Sequence, residues 1–220
     1  MRPTDHLRLS VQDTWDKATD HAFCKALAAG TLPLDKMRGY LVQDYKFIDQ
    51  FVRLLASAIA AAPTLKDGVP SAQFLGLITS TENTYFLRSF AALEVSQDAQ
   101  DAPASPATLA FQEVMQEARI SGNYASMLAV LVVAEWSYLS WAQRYERYSD
   151  GLPFWFSEWI DLHCGAGFEA VVEHFRSQLD KAWDGLSSAE QAEATGLFQR
   201  ATQCEKDFFD AAYAGFDLAT

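Results

Sequence analysis

The segment YASMLAVLVVAEWSYLSWAQRYERYS, residues 124–149, decides the fold. Its middle, MLAVLVVA at residues 127–134, is apolar on every side, which predicts a helix at the centre of a helical protein rather than on its surface. This run is the longest apolar run in the chain, yet it is far shorter than the roughly 18 residues of a membrane span. We therefore expect a soluble protein built around this helix.

Apolar residues recur at helical spacing on both sides of the central helix, between Gly, Pro and Ser residues that begin or end helices. Before it, the predicted helices are Ser10–Gly30 with Ser10 and Asp13 as a capping box, Lys36–Ala62, Pro70–Leu93 and Pro106–Gly122 behind Ser105, with a surface connection at Ser96–Ser105. After it, they are Pro153–Gly165, Phe168–Trp183 and a last long helix behind a capping box at Ser187 and Glu190. About eight helices and no strand predict an all-α bundle, with residues 1–220 as a single domain.

The composition excludes several function classes. The chain has 220 residues, of which 50% are hydrophobic, so it is long and apolar enough to bury a core and is not a disordered chain. Its 17 Lys and Arg residues against 29 Asp and Glu residues give a net charge of −12. This acidic balance opposes binding to nucleic acid and to acidic membranes, because both need clustered basic residues.

Cysteine usage and the N-terminus favour a cytoplasmic protein. Cys24, Cys164 and Cys204 form an odd, scattered set with no CxxC spacing, which is typical of a reducing compartment. The first ten residues, MRPTDHLRLS, contain no apolar segment of the kind that directs secretion.

Acidic residues fall on the apolar faces of four predicted helices. The four are Asp44, Glu82, Glu135 and Glu205. Asp44, for example, lies four residues after Tyr40 and three before Phe47, and Glu135 directly follows the apolar run at 127–134. An ionised carboxylate in apolar surroundings costs several kcal/mol unless it is paired, so the four together predict a shared polar pocket inside the bundle. Each acid taken alone is equally consistent with a structural hydrogen bond to a buried Tyr, Trp or backbone group.

Other catalytic signatures are absent from the sequence. None of the four histidines belongs to an HExxH or ExxH pair, and there is no glycine-rich phosphate loop and no GxSxG. We therefore expect no metal and no cofactor. Buried carboxyls have pKa values raised toward neutrality, as a general acid or base working near pH 7 requires.

Three segments, in order, resemble the TenA or thiaminase II family. They are YLVQDYKFIDQFVRLLASA from Tyr40, the Trp159-Ile160 pair, and CEKDFFDAAY from Cys204. The resemblance implies a heme-oxygenase-like helical bundle that forms a homo-oligomer, a tetramer or a dimer, and binds a small aminopyrimidine in its interior. It also implies that Asp44 binds the pyrimidine ring, that Glu205 is the catalytic acid, and that Tyr138 lies at the substrate.

The chain departs from the family pattern at three positions. Glu135 stands where thiamin-cleaving members have a nucleophilic cysteine, Phe47 replaces a tyrosine, and His163 replaces another. The pattern is similar to the cysteine-lacking branch, for which the resemblance implies hydrolysis of aminomethylpyrimidine or its N-formyl derivative to hydroxymethylpyrimidine in thiamin salvage. Glu82 and Tyr85 are expected to support the substrate site, or else to form a core pair.

The hypothesis assigns the ring to Asp44, proton donation to Glu205 and activation of water to Glu135, and the last two roles could be exchanged. His163 either contacts the substrate or only caps its helix. Two other functions compete with this one. The same pocket could bind or sense a pyrimidine without turnover, or the bundle could carry heme or iron with His21 as axial ligand. The older family label of transcriptional activation would then describe an indirect effect, since the acidic chain has no electrostatic route to DNA.

Overall fold

The computed structural model describes residues 1–216, and within them every regular element is helical. The α-helices are α1 Pro3–Ser10, α2 Gln12–Thr19, α3 Ala22–Ala28, α4 Leu34–Ala61, α5 Leu65–Leu77, α6 Asn83–Ala92, α7 Gln97–Asp101, α8 Pro106–Ile120, α9 Tyr124–Ala142, α10 Phe154–Leu162, α11 Gly165–Trp183 and α12 Ser188–Ala214. A π-helical turn, Ile78–Glu82, joins α5 to α6, and a 3-10 turn, Gln143–Tyr145, follows α9. The all-α prediction is confirmed, but the chain forms more helical segments than the eight predicted.

Helix α9 is the centre of the bundle, as its sequence predicts. Each residue from Met127 to Ala134 is 3% exposed or less, and α9 packs against α4, α8, α11 and α12. By length and composition, the helical stretch Tyr124–Tyr145 is apolar enough to cross a membrane. However, 89% of its apolar 18-residue segment is buried inside the protein. Other helices therefore cover its apolar surface, as expected for a core helix.

The first predicted helix, Ser10–Gly30, is wrong, because Ser10 is the last residue of α1 and two short helices, α2 and α3, follow it. Ser10 ends α1, and its hydroxyl donates to the carbonyl of Leu7 instead of capping a new helix. The backbone then breaks at Val11 and again at Asp20, both with φ near −120°. Apolar spacing continues across these breaks because all three helices turn a buried side toward the same core, so periodicity alone does not reveal them.

The third predicted helix, Pro70–Leu93, also differs from the structure. The chain becomes helical at Leu65, where the Thr64 side chain accepts from the backbone N–H of Asp67, and Pro70 lies inside α5. The π-helical turn then divides α5 from α6. The connection predicted at Ser96–Ser105 contains a further helix, α7, which the Ser96 side chain caps.

The remaining helices follow the sequence signals more closely. Helices α4 and α8 match their predictions within a few residues, and the capping box of Ser187 and Glu190 at the start of α12 is confirmed. Helix α9 ends at Ala142, earlier than the predicted Ser149. Gly165, expected to end a helix, instead begins α11, three residues before the predicted start.

Helices α4, α9 and α12 pack against one another pairwise, and α10 lies against α3 and α6 at one side. In this arrangement, the helix faces that carry Asp44, Glu135 and Glu205 are directed toward one another. The last four residues of the predicted domain, 217–220, lie outside the described part of the chain.

Candidate active site

A narrow internal cavity lies between α4, the π-helical turn, α9 and α10. Its walls are Asp44, Phe47, Ile48, Phe51, Ile78, Glu82, Ala134, Glu135, Tyr138, Trp159 and His163. Of the eight residues predicted for the site, six therefore line one cavity. The volume open to water is about 20 Å³, which exceeds the roughly 10–15 Å³ that one water molecule requires.

Three carboxyl groups from three different helices are buried at this place. Asp44 on α4 is 4% exposed, Glu135 on α9 is 8% exposed and Glu205 on α12 is 2% exposed. Asp44 and Glu135 line the cavity, whereas Glu205 lies behind its wall, close enough to both for their charges to interact. The Oε1 atom of Glu205 is buried and has no hydrogen-bond partner among residues 1–216. A buried polar atom of this kind is one that a ligand, a water or a proton can satisfy.

Burial sets the protonation of these carboxyls. Loss of water raises the pKa of Asp44, Glu135 and Glu205 well above the usual carboxyl values. The neighbouring carboxyls raise the pKa values further, because two negative charges in one dry site repel each other. The hydroxyl groups of Tyr40, near Asp44, and of Ser137, near Glu205, oppose this increase in part. These carboxyls therefore hold their protons to higher pH than exposed carboxyls do, and they titrate as a coupled group.

Glu82 adds a fourth carboxyl from the π-helical turn. Its side chain is half-buried, and loss of water raises its pKa to about 8. A π-helical turn carries one residue more per turn than an α-helix and often occurs at functional sites. Here the turn supplies both Ile78 and Glu82 to the cavity wall. Glu82 therefore changes protonation near pH 8.

His163 lies at the end of α10 with its ring against the cavity. Its Nδ1 atom is 2.8 Å from the carbonyl oxygen of Trp159, and since a carbonyl only accepts, Nδ1 carries the hydrogen. Burial lowers the pKa of His163 to about 4, so the ring is neutral and Nε2 is left as an acceptor. The ring packs against Tyr138 and Trp159, with centroids 4.7 and 4.4 Å away. His163 therefore lines the cavity and is also the C-cap of α10, so its position is compatible with substrate contact and with helix capping.

Sequence reasoning did not assign Tyr40 and Trp159 to the site. The Tyr40 hydroxyl lies 2.8 Å from the Tyr138 hydroxyl and accepts from the Trp159 indole N–H at 2.9 Å. Trp159 lines the cavity, and Tyr40 lies directly behind it. One signal in the sequence points to Tyr40, because it precedes Asp44 by four residues on the same helix face.

The other predicted residues are placed as follows. Phe47 is a half-buried part of the cavity wall and packs edge to face on Phe111, with centroids 4.9 Å apart. Tyr85 does not reach the cavity. It is fully buried, stacks on Trp159 and donates to the carbonyl of Trp155 at 2.7 Å, so it supports the wall from outside.

His21, considered as a heme ligand, is the N-cap of α3 and does not line this cavity. Its Nδ1 atom accepts from the backbone N–H of Phe23, and its Nε2 atom is 3.0 Å from Asp210. Both ring nitrogens are thus engaged, which disfavours a role as axial ligand. Within residues 1–216, no group of three or more His, Cys, Asp or Glu side chains could hold a metal ion.

The cavity suits a small, flat, polar molecule. Aromatic side chains form its walls, carboxyls that can donate or accept protons lie on several sides, and water is largely excluded. A six-membered ring is larger than the present cavity, so its binding requires wall residues to move. The half-buried Phe47, Ile48 and Glu82 are the wall residues least fixed by packing.

The comparisons with known proteins agree with this geometry. The chain is 24% identical over 220 residues to the aminopyrimidine aminohydrolase of Bacillus subtilis (strain 168), covering 97% of this chain and 90% of that protein. It is 25% identical over 207 residues to the aminopyrimidine aminohydrolase of Halalkalibacterium halodurans, covering 92% of each chain.

Solved structures share the same fold. A TenA family transcription regulator from Silicibacter sp. TM1040 matches with a TM-score of 0.85 and 25% identity over 96% of each chain. A TenA homologue from P. horikoshii OT3 matches with a TM-score of 0.84 and 20% identity over 98% of this chain and 100% of that one. The heme-oxygenase-like bundle expected from the sequence is thereby confirmed. Since a family model matches residues 8–215, almost the whole chain, the protein belongs to the TENA/THI-4/PQQC family.

Proposed function

We propose that the protein is a hydrolase of thiamin salvage that converts 4-amino-5-aminomethyl-2-methylpyrimidine, or its N-formyl derivative, to hydroxymethylpyrimidine. One observation carries the proposal, namely that buried carboxyls from α4, α9 and α12 and the half-buried Glu82 of the π-helical turn meet at one narrow cavity. The names of the relatives from Bacillus subtilis and Halalkalibacterium halodurans support the same activity.

The substrate class follows from the chemistry of the cavity. An aminopyrimidine presents an amino donor beside a ring nitrogen acceptor, and a carboxyl can pair with both at once. We assign this contact to Asp44, because it lies deep on α4 next to Tyr40 and lines the cavity. Phe47, Tyr138 and Trp159 supply flat walls for the ring faces.

The reaction needs one proton donor and one base. The bond between the methylene carbon and the exocyclic nitrogen breaks, a water oxygen bonds to that carbon, and the leaving nitrogen takes a proton while the water loses one. We assign proton donation to Glu205 and activation of water to Glu135, and the reverse assignment is equally consistent with the high pKa of both groups. Since one carboxyl gives a proton and the other takes one, the pair keeps its number of protons, and a proton has to return from Glu135 to Glu205 before the next turnover.

The residue at position 135 sets the type of chemistry. Glu135 has no thiol to attack carbon, so we propose that the chain belongs to the cysteine-lacking branch and acts through water rather than through a covalent intermediate. All three cysteines are free thiols outside the cavity wall, which is consistent with this view.

The proposal includes a soluble cytoplasmic homo-oligomer, a tetramer or a dimer. Large apolar side chains on the surface are available for contact between subunits, among them Leu65 at 84% and Ile120 at 68% exposed. Light scattering of the purified protein measures the oligomeric state directly, and a monomer would contradict this part of the proposal.

The function is tested by product analysis. The protein is incubated with the aminomethylpyrimidine or its N-formyl derivative in water enriched in ¹⁸O, and the products are identified by mass spectrometry. We expect hydroxymethylpyrimidine that carries the heavy oxygen. Saturable binding of either compound without product would contradict hydrolysis and would favour the competing function, a pyrimidine-binding or sensing protein.

A further inference from the structure

An apolar groove lies directly outside the cavity. It runs between the π-helical turn and the junction of α10 with α11. The volume open to water is about 280 Å³. Its apolar lining comes from Phe74, Leu77, Leu162, Phe168 and Val171. The groove is thus more than ten times larger than the cavity and far less polar.

The groove and the cavity share a wall. Glu82 lines both spaces and so forms part of the wall between them. The two linings also touch at a second place, where the ring of His163 on the cavity side lies 5.2 Å from the ring of Phe168 on the groove side. Rotation of Glu82 away from this wall would join the two spaces into one site.

The shared wall indicates which part of a ligand reaches the groove. The cavity holds polar groups that match a ring with amino and ring nitrogen atoms, whereas the groove offers mostly apolar side chains. A substrate whose ring pairs with Asp44 and which is too large for the cavity can extend past Glu82 into the groove. The group that extends would be the substituent on the exocyclic nitrogen, and apolar walls favour an apolar substituent.

We infer that the groove is a binding subsite for an apolar acyl substituent on the exocyclic nitrogen, so that N-acyl aminomethylpyrimidines larger than the formyl derivative are substrates. This inference rests on the proposed function. The carbon–nitrogen bond at the methylene breaks, water supplies the hydroxyl group, and the carboxamide leaves with the proton that the carboxyl donates. No oxidant or other co-reactant is needed.

Gly167 gives a direct test of the groove. It lines the groove on α11, and a Cβ atom built there has no atom within 4 Å, so a leucine side chain projects into open space without a clash. Gly196 on α12 has equally free surroundings and does not line the groove, which makes Gly196→Leu the matched control. Both substitutions replace glycine by a better helix former, so neither is expected to unfold the protein.

The experiment compares kcat/KM for the free amine and its N-formyl, N-acetyl and N-butyryl derivatives in the wild type and both variants. Burial of one methylene contributes about 0.8 kcal/mol, so we expect kcat/KM of the wild type to rise up to about fourfold for each added methylene. Gly167→Leu should remove this rise and leave the free amine unaffected, and Gly196→Leu should behave as the wild type. A wild-type kcat/KM that falls with acyl length, or a rise that persists in Gly167→Leu, would overturn the inference.

A binding measurement separates this inference from the proposed function. Analogues in which a methylene replaces the exocyclic nitrogen cannot be hydrolysed, and calorimetry gives their dissociation constants as the alkyl chain lengthens. Tighter binding with length in the wild type but not in Gly167→Leu supports the groove even if no substrate is turned over. Binding that is independent of length overturns the groove even if the free amine is hydrolysed.

Discussion

The hydroxyl of Tyr40 on α4 lies 2.8 Å from the hydroxyl of Tyr138 on α9, although 98 positions separate the two residues in the chain. The indole N–H of Trp159 on α10 donates to the same Tyr40 oxygen. Tyr138 and Trp159 line the cavity, whereas Tyr40 is completely buried behind them, and its hydroxyl lowers the pKa of the nearby Asp44. Tyr40 is therefore a positioning residue, because one hydroxyl fixes groups from three helices at the site.

Tyr40→Phe tests this arrangement. The substitution keeps the ring but leaves the Trp159 N–H and the Tyr138 hydroxyl without their buried partner. We expect the free energy of unfolding to fall by about 1–3 kcal/mol, the usual cost of such a loss. Urea denaturation measures the change, and KM should rise as well because Asp44 and Tyr138 lose their support. Tyr213→Phe, which removes an exposed hydroxyl, is the control, and equal stability of the two variants would contradict the role of Tyr40.

Glu205→Gln separates proton donation from binding. Glutamine has nearly the shape of a protonated glutamate but cannot supply the proton, and Glu205 lies behind the cavity wall rather than in it. We expect kcat to fall roughly 10²- to 10⁴-fold, the usual contribution of a general acid. The dissociation constant for hydroxymethylpyrimidine, measured by calorimetry, should stay nearly the same. Unchanged turnover would reject Glu205 as the acid.

Asp44→Asn should give the opposite result. The amide can still pair with the amino group and the ring nitrogen, but it cannot transfer a proton to that nitrogen as a carboxyl can, so the ring loses its charge-assisted hydrogen bonds. Such bonds contribute about 1.5–3 kcal/mol, and we expect the dissociation constant for hydroxymethylpyrimidine to rise roughly 10- to 150-fold. Calorimetry on Asp44→Asn and Glu205→Gln under the same conditions gives the contrast. Similar binding by the two variants would show that Asp44 does not hold the ring.

The sequence predicts this site well wherever residues share one helix face. Asp44 and Glu135 stand out because a charged residue on an apolar stripe has to lie inside the bundle, and both do line the cavity. Glu205 follows the same rule of burial. Its position behind the wall depends on how α12 packs against α4 and α9, and spacing along one helix carries no information about that packing.

What the sequence does not predict depends on contacts between helices or on local breaks in the backbone. From the sequence Tyr40 looks like an ordinary core residue. The structure shows its hydroxyl beside the Tyr138 hydroxyl and the Trp159 indole N–H, which belong to distant parts of the chain. The turn at Ile78–Glu82 is a π-helix, and none of its five residues is a Gly or a Pro that would mark it. The spacing of apolar residues therefore does not predict that Glu82 lies between the cavity and the groove. The break at Val11 is equally unmarked.

The raised pKa of Glu82 has a consequence for stability. In the folded protein the pKa is about 8, whereas in the unfolded chain it returns to about 4.5. Between these values Glu82 carries a proton in the folded state but not in the unfolded state. The contribution of this protonated carboxyl to stability is therefore lost as the pH rises through 8. The slope approaches about 1.4 kcal/mol for each pH unit and each such carboxyl.

The effect is best measured between pH 7 and pH 8. Below this range His163, with a folded pKa of about 4, has the opposite effect, because its stability contribution grows as the unfolded chain loses its proton near pH 6.5. We expect the wild type to lose about 1 kcal/mol more than Glu82→Gln when urea denaturation at pH 7 is compared with that at pH 8. Glu113→Gln, which removes an exposed carboxyl on α8, should keep the wild-type slope. If Glu82→Gln also keeps that slope, Glu82 is already ionised at pH 7, and the wall between the cavity and the groove is wet.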